Sequence, residues 1–278
     1  MGGKKPKLTR ILHSGLLYYA RSLVLLAAGV RTRRRLIELA IRRGPVVIEF
    51  REGTRLAVRS LLEAWVAKEA ILDDLYGLAG LHAGWRVVDI GAAVGEFSVP
   101  AARRIAPGVL HAYEPAAASV AVMRRNLEMN AVENVRLHEE AVAAEAGRVT
   151  LRDDLCEAVL YHVDERPGSV GTMVSAVDLK QVLDRLPGGR CDFLKMDCEG
   201  AEFEILLGAG ASVLERIDRM AVEYHDFAAD HGELVRCLES CGRSVRIAPS
   251  PVYREIGYLY SEAAIASPPA RGEAASEP

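Results

Sequence analysis

The spacing of hydrophobic residues changes along the chain, and each change predicts a different type of element. Between residues 11 and 42, apolar positions recur at helical spacing among Arg and Lys side chains, which predicts one or two basic amphipathic helices. Short apolar runs at 46–50 and 56–58 flank a Gly-containing turn and predict a β-hairpin. A capping helix is expected within residues 61–78. Its broad apolar face, interrupted by Lys68 and Glu69, is expected to carry Leu61, Leu62, Trp65, Leu72, Leu75 and Tyr76.

From residue 85 onward, strand and helix patterns alternate regularly, as in parallel βαβ units. The predicted strands are 86–90, 109–113, 135–137, 193–196 and 220–223. One predicted helix follows the first of these strands and ends near 105. The other predicted helices span about 117–130, 178–186, 201–207 and 232–241. Two further strands, 148–151 and 172–174, surround a polar stretch with Pro167 and Gly168. The last two runs, 244–247 and 256–260, predict an antiparallel pair, and the Pro- and Ala-rich tail after Ala263 is expected to be disordered.

Composition sets limits on this arrangement. The 278 residues are 50% hydrophobic, which is enough for one main α/β domain. The 35 basic and 38 acidic residues leave a net charge of −3, which gives no indication of a polyanionic partner. The 5 cysteines include no CxxC pair, so the sequence favours neither a disulfide framework nor a zinc ribbon. A reducing cytoplasm is the expected compartment.

The basic N-terminus differs from a targeting signal or a membrane span. Arg21 interrupts its apolar stretch, and the longest uncharged piece, residues 22–30, is far shorter than the ~20 residues of a spanning helix. Packing against the rest of the domain is the favoured interpretation of these helices. Peripheral contact with an anionic membrane, through the cluster that includes Arg31 and Arg33, is the alternative.

A small-residue turn follows the strand predicted at 86–90, in the sequence WRVVDIGAAVGE at 85–96. Gly91, Ala93 and Gly95 form a G-x-A-x-G pattern instead of the dinucleotide fingerprint G-x-G-x-x-G, so a ligand without a pyrophosphate fits better. Asp89 at the strand's end is placed to hold an ammonium group, directly or through water, as the methionine part of S-adenosylmethionine requires. The alternative is that the small residues serve the close packing of strand on helix.

Two later strand ends extend this predicted pocket. Glu114 lies about 25 residues after Asp89, where an acidic residue accepts hydrogen bonds from ribose hydroxyls. Its alternative role is a carboxylate at a helix N-terminus. Glu140 and Ala141 follow the next predicted strand and are candidates for adenine contact by position alone.

The densest group of polar residues follows the strand predicted at 193–196, in the sequence KMDCEGAE. Asp197, Glu199 and Glu202 stand at the carboxyl edge of the sheet, where open α/β sheets bind ligands. Asp197 is the better catalytic candidate because it projects from the strand's end, whereas Glu202 is equally consistent with a first-turn helix charge. His225 ends the next strand and is a candidate general base. No metal is expected, because charge pairing is the favoured interpretation of Asp197, Glu199 and Asp226.

The sequences VVDIGAAVGEFS, HAYEP, NLEMNAVENV, DFLKMDCEGAE and VEYHD, in this order and spacing, resemble the FkbM-type family of class I S-adenosylmethionine-dependent methyltransferases. The resemblance implies a Rossmann-like fold, with a mostly parallel seven-stranded sheet whose last strand is antiparallel. N-terminal helices and a hairpin would precede it. Expected boundaries are 1–44 for the basic helices, 45–84 for the hairpin and capping helix, 85–262 for the methyltransferase domain and 263–278 for the tail. By this likeness, Asp89, Gly91 and Gly95 line the methionine end of the cofactor, Glu114 the ribose, and Asp197 and Glu199 the crevice beside the methyl group.

The expected activity is therefore methyl transfer from S-adenosyl-L-methionine to a hydroxyl of a small molecule, such as a sugar or a polyketide-like metabolite. We expect Asp197 or His225 to be the base and the other to orient the acceptor. No nucleic-acid partner is expected, because no Asn-Pro-Pro-Tyr-like element follows the fourth strand of the domain. The alternatives are RNA methylation, a nicotinamide-dependent oxidoreductase, and a nucleotide-binding module without catalysis.

Overall fold

A computed structural model describes residues 7–41, 45–152, 162–164, 171–250 and 253–263. The helices are α1 (Lys7–Gly29), α2 (Arg33–Ile41), α3 (Leu61–Ile71), α4 (Ser98–Ile105), α5 (Ala117–Met129), α6 (Leu179–Asp184), α7 (Glu202–Gly208), α8 (Ala211–Leu214) and α9 (His231–Ser240). The strands are β1 (Val46–Glu49), β2 (Arg55–Val58), β3 (Arg86–Ile90), β4 (Val109–Tyr113), β5 (Val135–His138), β6 (Ala141–Val142), β7 (Gly147–Arg152), β8 (His162–Asp164), β9 (Thr172–Val177), β10 (Cys191–Met196), β11 (Ile217–His225), β12 (Arg243–Pro249) and β13 (Ile256–Ala263).

Among these elements, seven strands form the central sheet in the order β12-β13-β11-β10-β3-β4-β5. The strands from β11 to β5 run parallel to their neighbours, and β13 is antiparallel to both β11 and β12. The predicted mostly parallel sheet with an antiparallel last strand is confirmed. The chain leaves β3 toward β4 on one side and later returns to β10 on the other, so a topological switch point lies between β3 and β10, where such sheets bind ligands.

Alternating side chains of the central strands bury opposite faces of the sheet. Val88 and Leu194 pack into a core with helices α6, α7 and α9, whereas Val87 and Phe193 pack into a second core with α4. Burial on both faces explains why β3 and β10 read as nearly continuous apolar runs in the sequence. An Asp or Lys within such a run therefore needs a specific partner.

The strands predicted at 148–151 and 172–174 are confirmed, because they lie within β7 and β9, which pair antiparallel in a smaller sheet. The predicted disordered tail after Ala263 and the polar stretch with Pro167 and Gly168 lie outside the described residues.

The N-terminal elements pack onto the main domain. Leu26 and Val30 of α1 share a hydrophobic cluster with Phe50, beside the β1–β2 hairpin, and with Val99 of α4. The Asn126 side chain of α5 donates to the carbonyl oxygens of Ala57 (3.3 Å) and Val94 (2.8 Å), so it ties the hairpin to the turn after β3. In the part of the chain that the structure describes, no helix has the length and apolar character needed to cross a membrane.

The buried face of α3 differs from the predicted one. Leu61 was expected inside but its side chain is 50% exposed, whereas Lys68, expected to interrupt the face, is fully buried. The Lys68 ammonium group lies 2.5 Å from the Asp73 carboxylate and donates to the Ser22 hydroxyl at 2.9 Å. It also lies over the rings of Tyr18 and Trp65. These contacts compensate the positive charge of Lys68, a residue that the sequence pattern predicted to interrupt the buried face.

We predict that Lys68→Met lowers the free energy of unfolding by about 3–5 kcal/mol, because it leaves the Asp73 carboxylate without its cation in a buried setting. Lys180→Met is the matched control, since the Lys180–Asp184 pair is exposed and solvent screening leaves it little effect on stability. Urea denaturation of the two variants measures both values. Equal losses of stability in the two variants would contradict the prediction.

Candidate active site

The turn after β3 is shaped by its close approach to the end of β10. The Gly91 and Ala92 amides both donate to the Tyr113 carbonyl oxygen, at 3.0 and 3.1 Å. Gly91 has a φ of 74°, and a Cβ there would lie 1.7 Å from the Asp197 carbonyl oxygen. Only glycine fits, because the backbone of Asp197 occupies the space that a side chain would need.

Ala93 continues this turn with a φ of 43°, which is uncommon for a residue with a Cβ. Its amide donates to the Glu114 carboxylate at 2.9 Å, and the Ala116 amide donates to the other Glu114 oxygen at 2.8 Å. Burial raises the pKa of Glu114 to about 7. Glu114 therefore organises the turn and also lines the cavity described next.

A cavity of about 430 Å³ lies at the carboxyl ends of the central strands. Gly91, Ala93 and Ala141 line it, as do six acidic residues: Glu69, Glu96, Glu114, Asp197, Glu199 and Glu223. Among the described residues, no Lys or Arg lines this cavity, and His225 is its basic residue. The cavity is thus strongly acidic in character.

Asp89 does not line the cavity, although the sequence suggested that it holds a ligand's ammonium group. It is fully buried, where it accepts a hydrogen bond from the Ser98 hydroxyl (2.6 Å) and pairs with the Lys195 ammonium group at 3.1 Å. Lys195 also donates to the Gly91 carbonyl oxygen at 2.7 Å. Burial opposes the charge on Lys195, but Asp89, Asp197 and Glu96 outweigh burial and raise its pKa. Asp89 therefore binds an ammonium group of its own chain.

Glu140 also lies away from the cavity, in contrast to its neighbour Ala141. Its carboxylate pairs with the Arg185 guanidinium, and the hydrogen bond from Arg185 lowers the pKa of Glu140. This ion pair accounts for the charge of Glu140 without a ligand, whereas Ala141 and the adjoining Val142 line the cavity at the position suggested for adenine contact.

Glu96 was not singled out by the sequence, yet it lies in the cavity wall. The residue is 4% exposed, and its Oε2 atom is buried without a hydrogen-bond partner among the residues that the structure describes. Burial raises its pKa to about 8. An unpaired buried carboxylate oxygen is costly unless a ligand supplies a donor. The signal available in the sequence was its place directly after Gly95, at the end of the turn.

Asp197 and Glu223 converge on one hydroxyl group. The Tyr76 hydroxyl oxygen lies 2.9 Å from Oδ2 of Asp197 and 2.5 Å from Oε2 of Glu223. Tyr76 carries one proton and can donate it to one carboxylate only, so the second contact requires a proton on the other. Burial, followed by the charge of Asp197, raises the pKa of Glu223 well above its usual range. We infer that protonated Glu223 donates to Tyr76, which donates to Asp197.

His225 does not have the environment of a general base. Its Nδ1 atom lies 2.6 Å from the Glu202 carboxylate and its Nε2 atom 3.5 Å from that of Glu199. Burial opposes protonation, but the hydrogen bond and charge of Glu202, with Asp197 and Glu199, raise the pKa of His225 to about 10. Burial, followed by the charge of Asp197, raises the pKa of Glu199 to about 8, so the nearer Glu202 carboxylate is the main partner of the imidazolium. A protonated ring has no free site for a proton. The prediction that His225 serves as the base is therefore unsupported by this geometry.

Asp197, Glu223 and His225 each place one potential metal ligand atom within 4.8 Å of the other two. The sequence grouped Asp197 with Glu199 and Asp226 instead, but Asp226 pairs with the His231 ring at 2.9 Å. Asp197 and Glu223 both contact the Tyr76 hydroxyl, and His225 pairs with Glu202, so each of these three side chains has a partner within the protein.

Comparison with known proteins adds independent information. Residues 89–245 match the family model described as the methyltransferase FkbM domain. The methyltransferase sdnD of Sordaria araneosa is 27% identical over 237 residues, covering 73% of this chain and 91% of that protein. The 31-O-demethyl-FK506 methyltransferase FkbM of Streptomyces tacrolimicus is 28% identical over 219 residues, covering 67% of this chain and 84% of that protein. The magnesium protoporphyrin IX methyltransferase structure from Synechocystis PCC 6803 has a TM-score of 0.45 at 13% identity, covering 72% of this chain and 81% of that chain.

We predict that Gly91→Ala lowers the free energy of unfolding by about 3 kcal/mol or more and abolishes binding of S-adenosylhomocysteine, because the new Cβ meets the Asp197 backbone. Gly80→Ala is the matched control, since a Cβ there meets no atom within 4 Å, and we expect a change within about 0.5 kcal/mol. Thermal unfolding and calorimetric titration measure the two effects. Normal ligand binding by Gly91→Ala would contradict the assigned packing.

We also predict that His225 is an imidazolium at pH 7.5. Its raised pKa means that the pair with Glu202 stabilises the fold fully below the ordinary His pKa of about 6.5, and that this contribution is lost as pH rises through about 10. Glu202→Gln is expected to move the His225 pKa back toward the ordinary value. NMR titration of the ring nitrogens checks this. A neutral His225 ring at pH 7.5 in the unaltered protein would refute it.

Proposed function

This chain belongs to the FkbM methyltransferase family, and from that premise we propose that it methylates a hydroxyl group of a small molecule. S-adenosylmethionine is the methyl donor of this family. The single observation that supports oxygen as the target is the Asp197 carboxylate, which lines the cavity and is held in place by Tyr76. A hydroxyl nucleophile must lose a proton during methyl transfer, and a positioned carboxylate is suited to accept it.

The residues present fit the cofactor at three points. The unpaired buried oxygen of Glu96 suits the amino group of its methionine part, and the Glu114 carboxylate suits the ribose hydroxyls. Gly91 and Ala93 present main chain without bulky side chains, and Ala141 lies where the adenine is expected. Gly95 does not line the cavity and instead packs close to the Met123 side chain. Asp89 supports this arrangement from behind, because Lys195 links it to the Gly91 carbonyl group. When bound, the cofactor supplies a methyl group on a positively charged sulfonium.

The side chains near the methyl group of the cofactor have different roles in the reaction. Asp197 accepts the proton of the acceptor hydroxyl, and the hydrogen bond from Tyr76 fixes which carboxylate oxygen remains available. Protonated Glu223 keeps Tyr76 oriented from the other side. Glu199 and His225 serve as positioning residues, since both line the cavity and the His225 ring lies 3.5 Å from the Glu199 side chain. Exact placement of the reacting atoms supplies much of the rate in such a transfer.

RNA methylation is less compatible with the cavity. A nucleic-acid substrate brings phosphates, and proteins that bind it present Lys and Arg near the site. The described residues of the cavity wall include six acidic side chains and neither Lys nor Arg. The basic cluster with Arg33 and Arg35 lies on α2, and neither residue lines the cavity. These charges favour a small organic acceptor. Peripheral membrane contact through the N-terminal helices stays a prediction, and Leu23 of α1 and Ile37 of α2 are exposed apolar side chains on those helices.

We predict that Asp197→Asn lowers kcat about 10²–10⁴-fold, because the amide cannot accept the acceptor's proton, while the affinity for S-adenosylhomocysteine changes less than about threefold. The assay follows tritiated methyl from the cofactor into the small-molecule and RNA fractions of a cell extract. Asp218→Asn, which alters an exposed carboxylate paired with Arg190, is the control. Near-wild-type turnover by Asp197→Asn, or label in RNA alone, would contradict the proposal.

A further inference from the structure

One part of the cavity is formed by residues outside the methyltransferase sequence motifs. Most of these residues are aromatic. Tyr18 and Tyr19 come from α1, Trp65 and Glu69 from α3, and Tyr253 from the segment before β13. We call these five residues the acceptor chamber. We propose that the chamber binds an uncharged or positively charged acceptor and rejects phosphorylated and carboxylated ones. This inference rests on the proposed function and specifies the substrate class of the same site.

The aromatic rings of the chamber form a connected wall. The ring centroids of Tyr18 and Trp65 lie 6.0 Å apart, and those of Tyr19 and Trp65 lie 5.4 Å apart. Tyr253 lines the same cavity, and its interaction with Tyr19 raises its pKa, so α1 and the segment before β13 both contribute to the chamber. Rings in such contact offer flat apolar surface for the carbon skeleton of a ligand. This explains why the N-terminal helix is part of the cavity.

The polar groups of the chamber leave acceptors available for a ligand. Oε1 of Glu69 accepts hydrogen bonds from the Tyr18 hydroxyl at 2.6 Å and the Trp65 ring N–H at 2.9 Å. Those two donors are thereby occupied within the protein, and the Tyr76 hydroxyl is occupied by Asp197. The second Glu69 oxygen has no hydrogen bond to the described residues. A ligand therefore meets a carboxylate oxygen that suits a hydroxyl or an ammonium donor.

The charges around the chamber oppose an anion. Lys68 is the nearest buried cation, but its ammonium group lies behind the Tyr18 and Trp65 rings and is taken up by Asp73 and Ser22. No Lys or Arg among the described residues lines the cavity itself. A phosphate or carboxylate would lose its hydration beside Glu69 without gaining a cation from the described residues of the cavity wall. Selectivity against anions follows from this missing cation.

The test uses four probes that share one phenyl ring and differ in charge: benzyl alcohol, benzylamine, benzoate and phenyl phosphate. Binding to the full chain loaded with S-adenosylhomocysteine is measured at pH 7.5 by saturation-transfer NMR titration. We expect benzyl alcohol and benzylamine to bind at least about tenfold more tightly than benzoate and phenyl phosphate. Glu69→Gln is expected to remove the advantage of benzylamine over benzyl alcohol. Tyr19→Ala, at a half-exposed residue, is expected to weaken both of these probes.

Glu239→Gln, at an exposed carboxylate of α9, is the control for the loss of one charge. The inference is overturned if benzoate or phenyl phosphate binds as tightly as benzyl alcohol. It is also overturned if Glu69→Gln and Glu239→Gln give the same ranking of probes as the unaltered protein, or if Tyr19→Ala changes no affinity. Binding of S-adenosylhomocysteine is followed separately in every variant. Failure of methyl transfer to any hydroxyl with the probe ranking intact would refute the proposed function alone, whereas transfer to an acidic alcohol would refute the charge selectivity alone.

Discussion

The close contact between the carboxyl ends of β3 and β10 is the constraint on which the site depends. Gly91 has no side chain, so the Asp197 backbone can occupy the space beside it. Lys195 holds the same junction from within, because it pairs with Asp89 on the neighbouring strand and donates to the Gly91 carbonyl oxygen. An apolar residue in place of Lys195 would leave Asp89 as an uncompensated buried charge. The turn and the catalytic strand end are therefore fixed by one shared set of contacts.

The same junction determines how charge is distributed over the cavity. Carboxylates outnumber the cations among the described residues of the site, and the two buried cations, Lys195 and His225, are each committed to carboxylates of the protein. Protonation of buried acidic residues reduces this excess of negative charge, as the raised pKa of Glu223 indicates. The remaining negative charge complements a positively charged sulfonium and amino group. It also limits which acceptors can enter, since the two ligands share one acidic enclosure.

The sequence predicted the framework better than the site. β3 and β4 have the predicted limits, because each is an apolar run buried on both faces and bounded by Gly or Pro, and the motif positions Gly91, Ala93 and Glu114 line the cavity as expected. Contacts between segments that are distant in sequence could not be predicted from these local patterns. Tyr76 lies 121 residues from Asp197, and neither local spacing nor composition connects them. The protonation of His225 likewise depends on Glu202, which the sequence identified as a helix charge.

Two lysines within apolar segments mark junctions of the fold, although hydrophobic periodicity treats them only as interruptions of the pattern. Lys195 interrupts a buried strand and Lys68 interrupts the apolar face of a helix, and a surface position is the ordinary expectation for each. Both are buried, and each neutralises an acidic residue at a junction: Lys195 joins β3 to β10, whereas Lys68 joins α1 to α3. The first junction places Asp197 beside the cofactor turn, and the second places Tyr18 and Trp65 in the acceptor chamber. The two halves of the cavity thus have the same physical origin, a lysine whose burial requires two elements of the fold to remain together.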